Sequence, residues 1–160
     1  MHVDLQCSDA PVVSIIVLTA DSPSMLWECL SAIERTVDRR GIPYEVIVVF
    51  QQMTQEAVDS FLQNAGGVRA LRSRLNLGFG GGNNWAARYA KGRYLVFLND
   101  DATPQYGWLE SLMATARSTD PIGAVGSRIV FPDGSLQEAG SILWQDGSCY
   151  PLGRGDAAGR

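Results

Sequence analysis

At 160 residues the chain suits one compact domain, by the usual range of roughly 100–200 residues per domain, and is long enough to bury a real core. An apolar fraction of 46% with 19% charged residues argues against disorder, and a net charge of −4 argues against a generic binder of nucleic-acid backbone, whose affinity rests on Lys and Arg. The cysteines Cys7, Cys29 and Cys149 are odd in number and far apart, which supports neither a disulfide framework nor a zinc knuckle, and a lone His2 cannot build a His-rich metal site.

Residues 1–11 lack the basic and apolar regions of a signal peptide and read as a flexible leader. No run reaches the ~18 apolar residues that span a bilayer. The expectation is a cytoplasmic chain, with peripheral attachment to the inner membrane in an intact protein left open. Val12 to Thr19 is a nearly continuous β-branched run, the pattern of a strand buried on both faces of a parallel sheet. Asp21-Ser22-Pro23 starts a helix, whose Leu26, Cys29, Leu30, Ile33 and Val37 share one face.

Tyr44 to Phe50 reads as a second buried strand, Thr54 to Ala65 as a second helix, and Val68 to Ser73 as a third, shorter strand. A glycine-rich loop then runs from Asn76 to Asn84, followed by a helix from Trp85 to Lys91 and a strand from Arg93 to Leu98. Tyr106 to Ser118 is a further helix and Ile122 to Val130 a further strand. Short β-structure follows to Trp144, and the glycine-rich residues 146–160 read as a loop-like tail. Strands alternating with helices imply an α/β fold with a mainly parallel sheet covered on both faces, its body spanning residues 12–145. In such sheets ligands bind beyond the carboxyl ends of the strands.

Two constellations lie at those ends. Asn99-Asp100-Asp101 places two carboxylates and an amide directly after a strand, hard oxygen ligands of the kind Mg²⁺ and Mn²⁺ share with substrate phosphates. The plainer alternative is a helix cap or solvated turn. Asn76 to Asn84 carries Gly78, Gly80, Gly81 and Gly82, which let a backbone approach a ligand and open a helix whose N-terminus favours anions. The plainer alternative is a flexible connection. A dinucleotide fingerprint would need its glycines after the first strand, where Thr19-Ala20-Asp21 stands instead. No Gly-Lys-Ser/Thr exists for a phosphate-binding P-loop.

The run from Asn76 to Asp101, N-L-G-F-G-G-G-N-N-W-A-A-R-Y-A-K-G-R-Y-L-V-F-L-N-D-D, resembles the central block of family 2 glycosyltransferases, and Phe131 to Asp156 resembles a rhamnosyltransferase-like subgroup. The resemblance implies a Rossmann-like GT-A fold that is C-terminally truncated. It also implies transfer of a sugar, with inversion, from a nucleotide-diphospho-sugar (UDP- or dTDP-linked) to a glycan in polysaccharide biosynthesis. By the same resemblance Thr19, Ala20, Asp21, Asn76, Gly78, Gly82, Asn83, Asn99 and Asp100 bind the nucleotide-sugar, and Asp101 of the DXD-type motif binds Mg²⁺ or Mn²⁺. The acceptor site and catalytic base are expected beyond Arg160, so the 160-residue chain by itself is expected to be inactive and to self-associate. The resemblance also marks a departure: Phe50-Gln51-Gln52 stands where the family usually ends its second strand with an aspartate, so an aromatic would either stack on the base or mark altered nucleotide selection. A noncatalytic scaffold derived from such an enzyme, or more remotely a Rossmann oxidoreductase domain, are the rival readings.

Overall fold

A computed structural model describes residues 1–20, 23–38, 41–118 and 122–157. The chain divides into two compact units, residues 1–107 and 108–160.

The first unit is an α/β layer structure around a four-stranded parallel sheet. Its strands are β2 (Val13–Ala20), β3 (Tyr44–Gln51), β5 (Val68–Ser73) and β6 (Tyr94–Asn99), in the order β5-β3-β2-β6. β2 and β3 are central, which is why Ile15–Leu18 and Val46–Phe50 read as unbroken apolar runs. The register pairs Ile16 with Ile47 and Phe97, and Leu18 with Val49 and Asn99, so these side chains share one face. The helix α3 (Gly78–Ala87) covers that face over Ile16, Leu18, Ile47 and Val49 with Ala86.

The helix α1 (Pro23–Thr36) buries Leu26, Cys29, Leu30 and Ile33, the stripe read from the sequence. The helix α2 (Gln55–Leu62) starts at Thr54, whose side chain accepts from Ala57 N at 3.2 Å, a local N-cap. It ends earlier than the expected Ala65, because Ala65–Gly66 form the short strand β4. β4 pairs in parallel with β1 (Val3–Asp4). Val3 and Leu5 are buried, and Val3 N and Leu5 N donate to Asn64 O and Gly66 O. Residues 1–11 therefore include an anchored strand rather than being a free leader.

The N-terminal ends of the strands are tied by one buried carboxylate. Glu45 Oε1 accepts from Ser14 Oγ and from Lys91 N, both at 2.6 Å, and Glu45 Oε2 lies 3.4 Å from Arg69 Nη1. Gly92 N donates to Ser14 Oγ, so the turn into β6 is fastened to β2. Burial alone would push the Glu45 carboxyl up. The Ser14 hydroxyl, the Lys91 amide and the Arg69 charge outweigh it and hold the carboxyl below its ordinary range.

The second unit begins with α4 (Trp108–Ala116). It also contains the antiparallel pair β7 (Ile129–Val130) with β8 (Leu136–Glu138), and the hairpin β9 (Ser141–Leu143) with β10 (Cys149–Pro151). Two expectations change here. Only Ile129–Val130 of the expected Ile122–Val130 strand is extended and paired, as its remaining described residues have no ladder partner. The tail expected as loop holds β10, and Ser135 bridges to Ala157. Asp146 folds that hairpin's turn by accepting from Ser148 N and Oγ. No helix among the described residues is long and apolar enough to cross a membrane.

Candidate functional site

The carboxyl ends of β2, β3, β5 and β6 lie at one edge of the first unit's sheet, and the glycine-rich start of α3 is brought to the same edge. The segment expected to be a loop up to Asn84 is helical from Gly78. Two contacts set its entry: Asn76 Oδ1 accepts from Gly78 N at 2.8 Å, and Gln51 Oε1 accepts from Leu77 N at 2.7 Å. Gly78 has φ +66°, the left-handed turn that admits glycine readily, and nothing lies within 4 Å of its missing Cβ. Gly82 serves differently. A Cβ there would stand 2.7 Å from Leu18 Cδ2 and 3.4 Å from Gln51 Oε1, so this glycine lets α3 seat directly on the ends of β2 and β3.

Gln51 emerges only from the structure. It is 4% exposed, and its amide oxygen latches the start of α3 to β3. Nothing in the sequence marks it except its place at a strand end. Phe50, weighed as a base-stacking aromatic, is fully buried and meets Phe61 edge-on at 5.4 Å. The stacking role is corrected: alternation turns Phe50 into the core and leaves Gln51 on the face of α3. Gln52, next along, holds φ +57°, an uncommon conformation for a residue with a side chain.

The other expected residues separate by exposure. Thr19 is buried beside Phe50 in the sheet, and Ala20 is half-buried at its rim. Asp21 lies outside the described residues. Asn76, Gly78, Asn99 and Asp101 are exposed, and Asp100 is half-buried. Asn83 is 4% exposed, yet neither its Nδ2 nor its Oδ1 has a hydrogen-bond partner among the described residues. Such groups are uncommon, and each costs about 1–3 kcal/mol unless a partner arrives. Asn83 neighbours Gly82, Gly82 touches Leu18, and Leu18 is paired with Asn99, which leads into Asp100-Asp101.

The field at this edge is negative. Cys29 Sγ donates to Asn99 O at 3.6 Å, and its thiol is pushed up to about 12, first by burial and then by the charges of Asp100 and Asp101. No cluster of three or more His, Cys, Asp or Glu that could hold a metal occurs among the described residues. The donor set is two adjacent carboxylates and an amide, all hard oxygen donors. It fits a Mg²⁺ or Mn²⁺ whose remaining positions come from phosphate and water, rather than an all-protein metal cage.

Three of the downstream carboxylates are engaged locally. Asp133 Oδ1 accepts from Ser135 N and Oγ, and Glu138 Oε1 accepts from Ser141 Oγ. These bonds hold the Asp133 carboxyl below its ordinary range, as the Ser148 bonds do for Asp146.

Comparison with known proteins matches this arrangement. Residues 14–154 match the model of glycosyl transferase family 2. The chain is 31% identical over 140 residues to the O-antigen biosynthesis protein RfbC of Myxococcus xanthus, covering 86% of this chain and 11% of that protein. It is 30% identical over 141 residues to the uncharacterized protein y4gI of Sinorhizobium fredii, covering 83% and 15%. The chain thus spans well under a fifth of the length of the curated relatives it matches.

Among solved structures, the mannosyltransferase PcManGT from Pyrobaculum calidifontis, in complex with GDP-Man and Mn²⁺, superposes with a TM-score of 0.58 at 25% identity, over 77% of this chain and 36% of that one. Staphylococcus aureus TarS 1-349 in complex with UDP superposes at 0.51 and 22% identity, over 64% and 31%, and shares the fold. By its matched length, its parallel sheet and the motifs at the sheet's carboxyl edge, the chain belongs to glycosyl transferase family 2, with the GT-A fold.

Proposed function

We propose that the chain holds the nucleotide-diphospho-sugar donor of a glycan-building transferase. Its diphosphate would be bridged by Mg²⁺ or Mn²⁺ to Asp101, with Asp100 and Asn99 beside the sugar or ribose. The observation that carries this reading is the unpartnered, buried amide of Asn83, whose neighbour Gly82 packs on Leu18, the register partner of the Asn99 that leads into Asp100-Asp101. A bound donor would give that amide partners, and the cation would offset the negative field that Asp100 and Asp101 impose. The Mn²⁺ and GDP-Man complex of the archaeal mannosyltransferase and the O-antigen role named for the bacterial relative support the same chemistry. In the intact protein the reading extends to sugar transfer onto a glycan with inversion, in the cytoplasm.

Phe50 bears on the choice of base. With no carboxylate at that position, base recognition falls to the backbone around Asn76 and Gly78 and to Gln52, which relaxes the preference between UDP and dTDP. Calorimetric titration with UDP and dTDP, with and without Mn²⁺, tests the reading. Metal-dependent binding that disappears in Asp101→Ala, with an unchanged melting temperature, is the expected result. Equal affinity in the Asp101→Ala protein would overturn the metal assignment. No binding of either nucleotide under any condition would leave a scaffold role.

A further inference from the structure

The second unit carries aromatic rings that its own packing leaves free. The hairpin of β9 and β10 turns through Trp144 to Gly147. Trp144 N donates to Ser148 O at 2.9 Å, Gly147 N donates to Trp144 O at 3.0 Å, and Gly147 takes φ +84°. Asp146 Oδ1, bonded by Ser148 N and Oγ, locks the same turn. The register places Ile142 opposite Tyr150. Side chains alternate along a strand, so Trp144, two residues beyond Ile142, shares their face. Trp144 is 58% exposed, Tyr150 64% and Ile142 42%. Neither ring meets another ring among the described residues, whereas Trp27 stacks on Phe61 and Trp85 meets Tyr89 edge-on. The opposite face of the hairpin carries Leu143 and Cys149 and no ring.

We propose that this face is a stacking platform for a pyranose ring of the acceptor glycan, so that part of the acceptor contact, expected from the sequence beyond Arg160, falls within this chain. One face of a pyranose gathers C–H bonds that are apolar and weakly positive at hydrogen, and these meet the negative face of an indole or phenol ring. The indole N–H and the phenol hydroxyl at the rim suit the sugar's hydroxyls. Two other occupants fit less well. From Ser141 to Pro151 the only charged side chain is Asp146, so nothing there attracts an anionic lipid surface. Strands of three residues present far less than the roughly 800 Å² per partner that a standard stable interface buries. The choice of a glycan rests on the glycan-building reading, while the contact itself needs neither donor nor cation.

The probes are methyl β-D-glucopyranoside and methyl β-D-galactopyranoside, each with C–H bonds gathered on one face, and sorbitol, which has the hydroxyls without the ring. They are titrated into the isotope-labelled chain while the indole N–H resonance of Trp144 is followed, assigned by its loss in Trp144→Phe. The pyranosides shift that resonance saturably and sorbitol does not. Affinity, read at the Tyr150 backbone amide, falls about tenfold in Trp144→Leu and less in Trp144→Phe, because the contact needs a ring and not apolar bulk alone. Asp101→Ala leaves it unchanged, so a failed donor site and a failed glycan face are read separately. Equal shifts from sorbitol, no shift from either pyranoside, or unchanged affinity in Trp144→Leu would overturn the proposal. A face that takes no pyranoside but sediments with phosphatidylglycerol vesicles, or that dimerises until Trp144→Leu is made, belongs to a membrane or to a second copy instead.

Discussion

Glu45 carries a consequence for how the protein responds to acid. Its carboxylate is buried, bonded by Ser14 Oγ and Lys91 N, and depressed below the ordinary carboxylate range. A depressed folded-state value means that the unfolded chain binds the proton more readily. The stabilisation is therefore complete above the unfolded carboxylate value, near about 4.3, and is lost as pH falls through the lower folded value. Urea unfolding midpoints of the native protein should fall more steeply below that pH than those of Glu45→Gln. At neutral pH the Glu45→Gln protein should be less stable by about 1–3 kcal/mol, because the Lys91 amide and Ser14 hydroxyl lose a charged acceptor. Identical acid dependence in the two proteins would remove Glu45 from the account. The ion pair with Arg69 contributes little of this, since that arginine is 40% exposed.

At the scale of elements, two glycines that look alike in sequence are required for different reasons. A Cβ on Gly92 would stand 2.6 Å from Ser14 N and from Val13 C, which are backbone atoms of a central strand and cannot yield. A Cβ on Gly82 would meet mainly the end of the Leu18 side chain, which can rotate. Gly92→Ala is predicted to cost at least the upper end of the roughly 1–3 kcal/mol typical of overpacking, and Gly82→Ala less, as read from denaturant midpoints. The reverse order would mean that α3, not the turn into β6, is the rigid contact. Gly82→Val should additionally tilt α3 away from Gln51, so its nucleotide affinity should fall by more than its melting temperature suggests. The helical start at Gly78 was not legible beforehand, since four glycines in five residues carry poor helix propensity. The seat on Leu18 and the latch from Gln51 override that propensity, and both are long-range contacts.

For the whole molecule, catalytic competence and association are the open quantities. In the first unit Glu45 sits at the opposite end of the sheet from the donor edge, and in the second unit Asp133, Glu138 and Asp146 are engaged by neighbouring serines. The 160-residue chain is therefore predicted to bind donor without transferring sugar. A radiolabelled-donor assay beside an extended chain checks this, and equal turnover by both would place the base within these residues. Association follows from β6, which pairs only with β2 among the described strands. Its Leu95 and Phe97 are 41% and 48% exposed on the face that α3 covers elsewhere. An unpaired edge carrying apolar side chains favours self-association. Light scattering should show concentration-dependent dimers that Phe97→Lys abolishes. A dimer that survives Phe97→Lys would place the contact elsewhere.

The amino-acid sequence by itself determined the parallel core, because Ile15–Leu18 and Val46–Phe50 can satisfy their continuous apolar character only when covered on both faces. It also located Asp100-Asp101 and the glycines at the edge where such sheets bind ligands, since strand ends are set by local pattern. The tertiary structure alone decided which of two adjacent side chains faces which layer. Phe50 turned inward to Phe61 and Gln51 outward to Leu77 through the alternation of β3 against helices on both faces. It alone placed Val3 beside Ala65. Contacts between residues distant in sequence leave no periodic trace in the chain, so packing and not pattern settles them.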